Sequence, residues 1–438
     1  MAATRDPRVL PSFGTLDRRA LLRRAAAAGI AVPAFSQFLL APASAASDIK
    51  FVAMDYDANM QKDTQKLVDA FNKSQGDVKT TLQVVSWSEG HDRLVTWISG
   101  NQAPDLANVS AGWMVEFNAI EALEPLDDKF SPGFLDAFVP STLDAMKIDG
   151  KLMGLPYFLD PRALYYRKDL FEKAGLQPPT TWDEVRAAAK ALHNPPDVFG
   201  IGLSSGAPSG GYDYYEYAFI GAGGINRYGE DGKSLLNSPQ GVKAAQFLLD
   251  LAITDKTTQP NPVNATRDSD LQPLFMAGKL AMLETGSWFP TMLKENAPDL
   301  QYGVAKLPMS DKSIPYHGAY WPDSMVMFKQ SKNKEAAAKF LEYQFNKQNR
   351  LDFALQRGVI PERIDVGEDP KYASDETAKF FVEELKTAIN VYAAPYPHEN
   401  QAFEINAAEL AKAFLGEQTA QEAMDKAAAQ INKVNGVS

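Results

Sequence analysis

Cysteine is absent from all 438 residues. That absence removes disulfides, zinc–thiolate sites, iron–sulfur clusters and cysteine nucleophiles together. Histidine is scarce: His91, His193, His317 and His398 have no metal-ligand spacing, so no metal site is expected. Beyond the first 45 residues, no apolar run approaches the ~20 residues that a membrane span needs. Positive charge is also in deficit. The chain carries −11, and an acidic surface repels nucleic acid and anionic lipid. No nucleic-acid partner is therefore expected, although a ligand would meet only the local site. Gly221, Gly223 and Gly224 suit a tight turn beside a ligand but make no dinucleotide fingerprint. No cofactor is expected.

What is present begins with a leader. Arg18 and Arg19 stand as a pair before an alanine-rich apolar stretch from Ala25 to about Leu40, which ends in Ala43-Ser44-Ala45. A basic region, an apolar region and small residues at the end make a secretory signal peptide, residues 1–45, with cleavage between Ala45 and Ala46. The paired arginines are similar to the twin-arginine export signal, with Asp17 where Ser or Thr is usual and Leu21 where Phe is frequent. Pro33 and Gln37 interrupt the apolar run and argue against a transmembrane anchor. No cysteine stands at the cleavage site to carry a lipid. The expectation is a periplasmic protein held together by its core alone. About 390 mature residues suffice for two domains. Hydrophobic residues at 45% and aromatics at 11% fit a globular chain.

Periodicity predicts the order of elements. A strand is expected at Ile49 to Met54, then a helix with Met60, Thr64, Leu67, Val68 and Phe71 on one face. Further strands are expected near Thr80 to Val85 and Asp105 to Val109, with a helix at Asp92 to Gly100 between them. Strands alternating with amphipathic helices imply βαβ units and a mostly parallel sheet. Asp149-Gly150 reads as a tight turn. Ala163 to Arg167 and Val198 to Leu203 read as strands, and Thr181 with Glu184 as a capping box. Ser238-Pro239 starts a helix. The last third is mainly helical, near 334–347, 376–390, 403–415 and 419–433.

An ordered series of motifs resembles the family-1 extracellular solute-binding proteins, the maltose-binding-protein group. Gln102-Ala103-Pro104-Asp105 resembles the step into a strand. Gly154-Leu155-Pro156-Tyr157, Leu164-Tyr165-Tyr166 and the run from Asp169 to Leu176 resemble the next block, with Arg167 in place of the usual Asn. Pro179 to Glu184, Phe275 to Met282, Gly286-Ser287-Trp288, and Gly303 with Leu307-Pro308 follow in the family's order. The likeness spans about residues 48 to 433. It implies an α/β type II periplasmic binding fold: two lobes, a ligand cleft between them, and extra C-terminal helices. Crossings fall near Tyr157–Leu164, Met282–Ser287 and Met325–Lys329. The N-terminal lobe becomes 46–157 plus 283–327, and the C-terminal lobe 158–282 plus 328–438. The implied function is that of a monomeric substrate-binding component. It takes up a sugar or sugar derivative and delivers it to ABC transporter permease subunits in the inner membrane.

A sugar presents hydroxyls, which need paired donors and acceptors, and C–H faces, which need flat apolar contact. Carboxylates and Arg meet the first need, Trp and Tyr the second. Open α/β sheets bind ligands just beyond strand C-termini. Candidates there are Asp55 and Tyr56, then Trp87, Ser88 and Glu89, then Trp113. Tyr157, Asp160 and Arg162 sit at the first expected crossing, Glu284, Ser287 and Trp288 at the next, and Trp321 and Arg357 later. Trp113 and Trp288 are the expected stacking platforms, and Asp55, Glu89 and Asp160 the hydroxyl acceptors. Arg162 can pair with Asp160 or grip an anionic sugar group. Tyr215 is the chosen contact from the aromatic run Tyr212 to Tyr217, and Gly224 the chosen turn residue. Trp97 and Trp182 fall on helix faces and read as core, and Asp105 as structural.

Enzyme readings fare worse. Gly202-Leu203-Ser204-Ser205-Gly206 matches a nucleophile elbow, but Ala207-Pro208-Ser209 is a poor start for the helix an elbow requires. Asp55-x-Asp57-x-Asn59 opens like a calcium loop and then has Met60 where Gly is needed. A glycosidase would need a carboxylate pair that no motif nominates. The expectation is a binding protein, with a secreted carbohydrate hydrolase as the rival.

Overall fold

A computed structural model of the chain describes residues 46–55, 58–205, 211–391 and 398–437. The expected leader, Tyr56, Asp57 and the last residues of the elbow motif lie outside the described residues.

The first half follows the predicted alternation. Strand β1 (Ser47–Asp55) leads into the helix Ala58–Ser74, β2 (Val78–Ser86) into Trp87–Ser99, and β3 (Leu106–Ser110) into Ala111–Ala119. Both β2 and β3 pair with β1 in parallel. Asp149 and Gly150 form the turn of a short hairpin, β4 (Lys147–Ile148) and β5 (Lys151–Leu152). Both turn residues have positive φ, at 52° and 77°, as a two-residue hairpin with native twist requires.

The strand that organises the molecule is β6 (Leu155–Arg167), 13 residues long. It shares an eight-stranded sheet with β1, β2 and β3, which join through an antiparallel β3–β9 ladder, and with β7 (Met282–Gly286), β8 (Tyr302–Ala305), β9 (Ala319–Met327) and β10 (Ile389–Asn390). From Leu155 to Pro161, β6 pairs antiparallel with β9. From Arg162 to Tyr166 it pairs with β7, and from Leu164 to Arg167 with β8. The change of partner falls at Pro161, which has no N–H to donate to a ladder.

The buried apolar residues divide at the same place. One core gathers Ile49 through Phe158 with Met325 through Tyr372. The other gathers Leu159 through Leu307, Ala319, Trp321, Ile360 and Phe381 through Ile431. Strand β6 passes from one core to the other between Phe158 and Leu159, and β9 does so between Trp321 and Met325. The helices Lys334–Gln344 and Lys347–Arg357 pack in the first core through Phe340, Leu341, Leu351 and Ala354. The family pattern had assigned them to the second lobe. Conversely, Leu283, Phe289, Leu293 and Leu307 pack in the second core although 283–327 was expected in the first lobe.

Local signals also have their causes visible. Thr181 Oγ1 accepts from the Glu184 N–H while Glu184 accepts from the Thr181 N–H, so the capping box forms. Hydrogen bonds from the Thr180 N–H and hydroxyl, joined by the Thr181 N–H, hold the Glu184 carboxyl down at about 2. The strand expected at Val198 to Leu203 makes isolated bridges in place of a ladder: Val198 to Asn194, Phe199 to Leu280 and Ile201 to Thr258. The helix expected over 376–390 ends at Leu385, and Ile389–Asn390 joins the sheet beside β9 instead. Among the described residues, no helix is long and apolar enough to cross a membrane.

Candidate functional site

Strand register builds the site. Asp160 on β6 lies opposite Trp321 on β9, and Arg162 lies opposite Gly286 on β7. These positions fall where β6 changes partner and core. Asp160 and Arg162 are 6% and 4% exposed, and their side chains meet at 2.5 Å. Arg162 Nη1 donates to Asp213 Oδ2 and to the Tyr217 hydroxyl, both at 3.2 Å. Arg267 pairs with Asp213 from the other side and donates to Asp268 at 2.8 Å.

Aromatic rings enclose this charge network. The Arg162 guanidinium lies 4.9 Å from the centre of Trp288 and 4.7 Å from that of Trp321. Arg267 lies 5.1 Å from Trp288, and Tyr217 meets Trp321 edge-on at 5.4 Å. A weakly hydrated guanidinium between π-faces is favoured electrostatically. A side chain at Gly286 would run into both the Trp288 ring and Asp160 Oδ1, so this close approach requires glycine. Burial raises the Asp160 carboxyl against the pull of Arg162 and Arg267.

Several polar atoms of this patch are buried without a hydrogen-bond partner among the described residues: Asp160 Oδ1, Arg162 Nε, Ser287 Oγ and Trp321 Nε1. Leaving such a group unpaired costs about 1–3 kcal/mol, and native structures seldom do so. A hydroxylated guest supplies both donors and acceptors, which is what this set lacks. Glu284, also on β7, is buried, and burial alone pushes its carboxyl up to about 8.

A second group lies in the first core. Trp113 is buried, with Trp87 at 5.1 Å and His91 at 5.3 Å between ring centres. His91 Nε2 is 2.9 Å from Glu116. Burial lowers the imidazole pKa, but the Glu116 partner outweighs it and the net direction is up. Asp55 ends β1, and its Oδ1 is a further buried atom without a partner among the described residues.

Other candidates fall elsewhere. Glu89 is exposed and pairs with Arg93 at 2.8 Å on the helix surface. Ser88 stands in the first turn of that helix. Tyr157 points into the first core, 5.3 Å from Phe353 between ring centres. Its carbonyl accepts from Arg350 at 2.6 Å. Tyr215 is fully buried in the second core, and its hydroxyl donates to the Gly241 carbonyl at 3.3 Å. The helix Gly211–Gly221 turns Tyr217 to the charge network instead, on the same face as Asp213 four residues before. Gly224 lines a separate cavity, where a Cβ would strike Phe219. Arg357 donates to Asp63 at 2.6 Å beside a groove of about 920 Å³. Asp213, Tyr217 and Arg267 complete this charge network and are not among the residues nominated from the sequence. The first two are four apart, a helical signal hidden by the glycines around them.

The remaining expectations resolve locally. Asp105 accepts from the Lys50 N–H at 2.7 Å and from Ser331 at 2.5 Å, a structural role. Trp182 stacks on Phe247 at 4.2 Å in the core. Ser204 is fully buried, and its hydroxyl donates to the Ala265 carbonyl at 2.5 Å, which occupies it as a donor. Among the described residues, no three His, Asp or Glu side chains are placed to hold a metal.

Two α/β cores joined by shared strands, with a polar and aromatic patch at the join, define a two-lobed binding protein. The family model for bacterial extracellular solute-binding proteins matches residues 57–350, and the chain belongs to that family. It is 31% identical over 398 residues to a binding protein of Brucella abortus, covering 90% of this chain and 95% of that one. It is 26% identical to the arabinooligosaccharide-binding protein of Bacillus subtilis, over 84% of this chain and 88% of that one. Among solved structures, an ABC transporter solute-binding protein from Thermotoga lettingae, bound with α-D-tagatose, superposes with a TM-score of 0.81. That match has 26% identity and covers 89% of this chain and all of the other. The family consists of binding proteins and not enzymes, so the chain binds a solute and the hydrolase reading falls.

Proposed function

We propose that this chain is the periplasmic substrate-binding component of an ABC importer, and that its solute is a sugar or sugar derivative, a mono- or oligosaccharide or a polyol. The observation that carries this reading is the cluster of buried polar atoms on Asp160, Arg162, Ser287 and Trp321 that lack a hydrogen-bond partner among the described residues, set among Trp288, Trp321 and Tyr217. Hydroxyls complete the donors and acceptors, and C–H faces lie on the rings. The sugars named for the Bacillus and Thermotoga relatives support the same class. The lobes follow the two cores, about 46–158 with 323–372 and 159–322 with 373–437. Closure of one lobe on the other is driven by contacts the solute makes in the closed state alone. The paired arginines at 18 and 19 support export by the twin-arginine route, and the protein acts as a monomer that docks on inner-membrane permease subunits.

A thermal-shift screen of saccharides, polyols and sugar acids tests this reading. A ligand at about 100 times its dissociation constant adds about 2.7 kcal/mol of stability. The expected result is a shift with at least one saccharide and no product formed on long incubation. No shift across the whole set, or turnover of a glycan, overturns the reading.

A further inference from the structure

The groove of about 920 Å³ beside the strand crossing takes its walls from both cores. On one side stand the helices Ala58–Ser74 and Lys347–Arg357, which pack in the first core through Val68, Phe71, Leu351 and Ala354. On the other stands the helix Phe289–Asn296, which packs in the second core through Phe289 and Leu293. Ser287, the residue before Trp288, also lines the groove, so the groove reaches the patch at the crossing. The two walls meet there at Gly358, where a Cβ would stand 3.0 Å from both the Ser287 carbonyl oxygen and Thr291 Oγ1.

The groove runs against the charge of the chain. Lys62, Lys66 and Arg357 line it from the first wall and Lys294 from the second, facing the carboxylates of Asp63, Glu295 and Asp375. Four cations against three carboxylates leave one positive charge in surplus, in a chain that carries −11. Two of the carboxylates are committed. Asp63 accepts from Arg357 at 2.6 Å and from Lys66 at 2.9 Å, so one carboxylate is shared by two cations. Asp375 accepts from the N–H groups of Thr377 and Ala378 at the start of its helix. Lys62 and Lys294 are exposed and make no ion pair among the described residues. A cleft whose charge is of one sign concentrates ligands of the other. The volume is near the upper end of the range for small-molecule sites, about 300–1,000 Å³, which leaves room for more than a single sugar ring. Tyr302, Pro290 and Leu355 give it apolar contact for C–H faces.

We propose that the guest is an acidic oligosaccharide: one unit sits at the crossing, and a neighbouring hexuronate unit lies in this groove with its carboxylate drawn to Lys62 and Lys294. The inference rests on the sugar reading of the crossing and names the class of sugar. One positive charge in surplus matches one carboxylate, and the long lysine stems let both ammonium groups reach it. Because the two lysines stand on different cores, a carboxylate between them joins the lobes, a contact that favours the closed state.

Calorimetric titration tests the proposal with cellobiouronic acid, glucuronosyl-xylose and galacturonosyl-rhamnose, each beside the same disaccharide with its carboxyl group reduced to the alcohol. The expected result is that at least one acid binds about tenfold or more tighter than its reduced form in about 0.05 M salt, and that this advantage shrinks in about 0.5 M salt. In the double variant Lys62→Gln, Lys294→Gln, checked for an unchanged melting temperature, the same acid should come within about twofold of its reduced form. An advantage undiminished in that variant overturns the proposal. So does binding of neutral saccharides with no acid bound more tightly than its reduced form, a result that leaves the sugar reading standing. Failure of every saccharide, neutral or acidic, to bind sinks the sugar reading and this inference with it.

Discussion

Replacing Glu284 by Gln should stabilise the unliganded protein at neutral pH and leave it unchanged in acid. Glu284 lies on β7, 8% exposed, and no cation pairs with it among the described residues. Burial is the sole cause that pushes its carboxyl from 4.5 to about 8. A folded pKa raised above the unfolded one gives a contribution that is fully present below pH 4.5 and lost as pH rises toward 8. Between pH 4.5 and about 7.5 the folded carboxyl keeps a proton that the unfolded one has released. Each pH unit then removes about 1.4 kcal/mol, up to about 4 kcal/mol across the window. Gln has nearly the same shape and no proton to release, so the variant escapes this loss. For about 390 residues, with an unfolding entropy of about 2.1 cal/mol/K per residue, 4 kcal/mol corresponds to about 5 °C in Tm. Calorimetric melts of both proteins at pH 4.5 and pH 7.5 measure the difference. A gap that opens with pH supports the argument. A Gln variant that melts with or below the wild type at pH 7.5 would refute it.

Other outcomes follow from the same contacts. Gly286→Ala should weaken solute binding at least tenfold by calorimetric titration, because the added methyl group displaces the Trp288 ring or the Asp160 carboxylate. Trp321→Ala should weaken binding by about 1–3 kcal/mol, through loss of both a ring face and a buried donor. Tyr215→Phe should leave affinity within twofold, since Tyr215 meets the core, whereas Tyr217→Phe should weaken it by removing a partner of Arg162. Arg350→Met should cost about 3–5 kcal/mol in urea denaturation, because it strands Glu362, its partner at 2.6 Å in a fully buried ion pair.

Much of this architecture is written in local signals, and the sites of failure share a cause. The strands β1, β2 and β3 carry alternation or short apolar runs between amphipathic helices, so their order is legible. The Thr181 capping box and the Asp149-Gly150 turn depend on a few adjacent residues, and the structure forms both. Asp160, Arg162 and Trp321 come together because they stand on β6 and β9, the strands that cross between cores, and Trp288 joins them because it follows β7, which pairs with β6 at Arg162. Tyr215 and Tyr157 went to the core because facing depends on helix phase and on a β6 irregularity between Pro156 and Phe158. Arg267 reaches Asp213 from 54 residues away, a pairing that no local window contains. The segment near 334–347 shows an apolar face in the sequence, but which core receives that face is set by tertiary packing alone, and the helix Lys347–Arg357 after it was not expected.

The most direct measurement is a crystal structure of the protein with the tightest saccharide from the thermal-shift screen. The account predicts sugar oxygens at hydrogen-bond distance from Asp160 Oδ1, Arg162 Nε and Trp321 Nε1, with a ring face against Trp288 or Trp321. A saccharide bound elsewhere, with those atoms still unpaired at the crossing of β6 and β9, would contradict it.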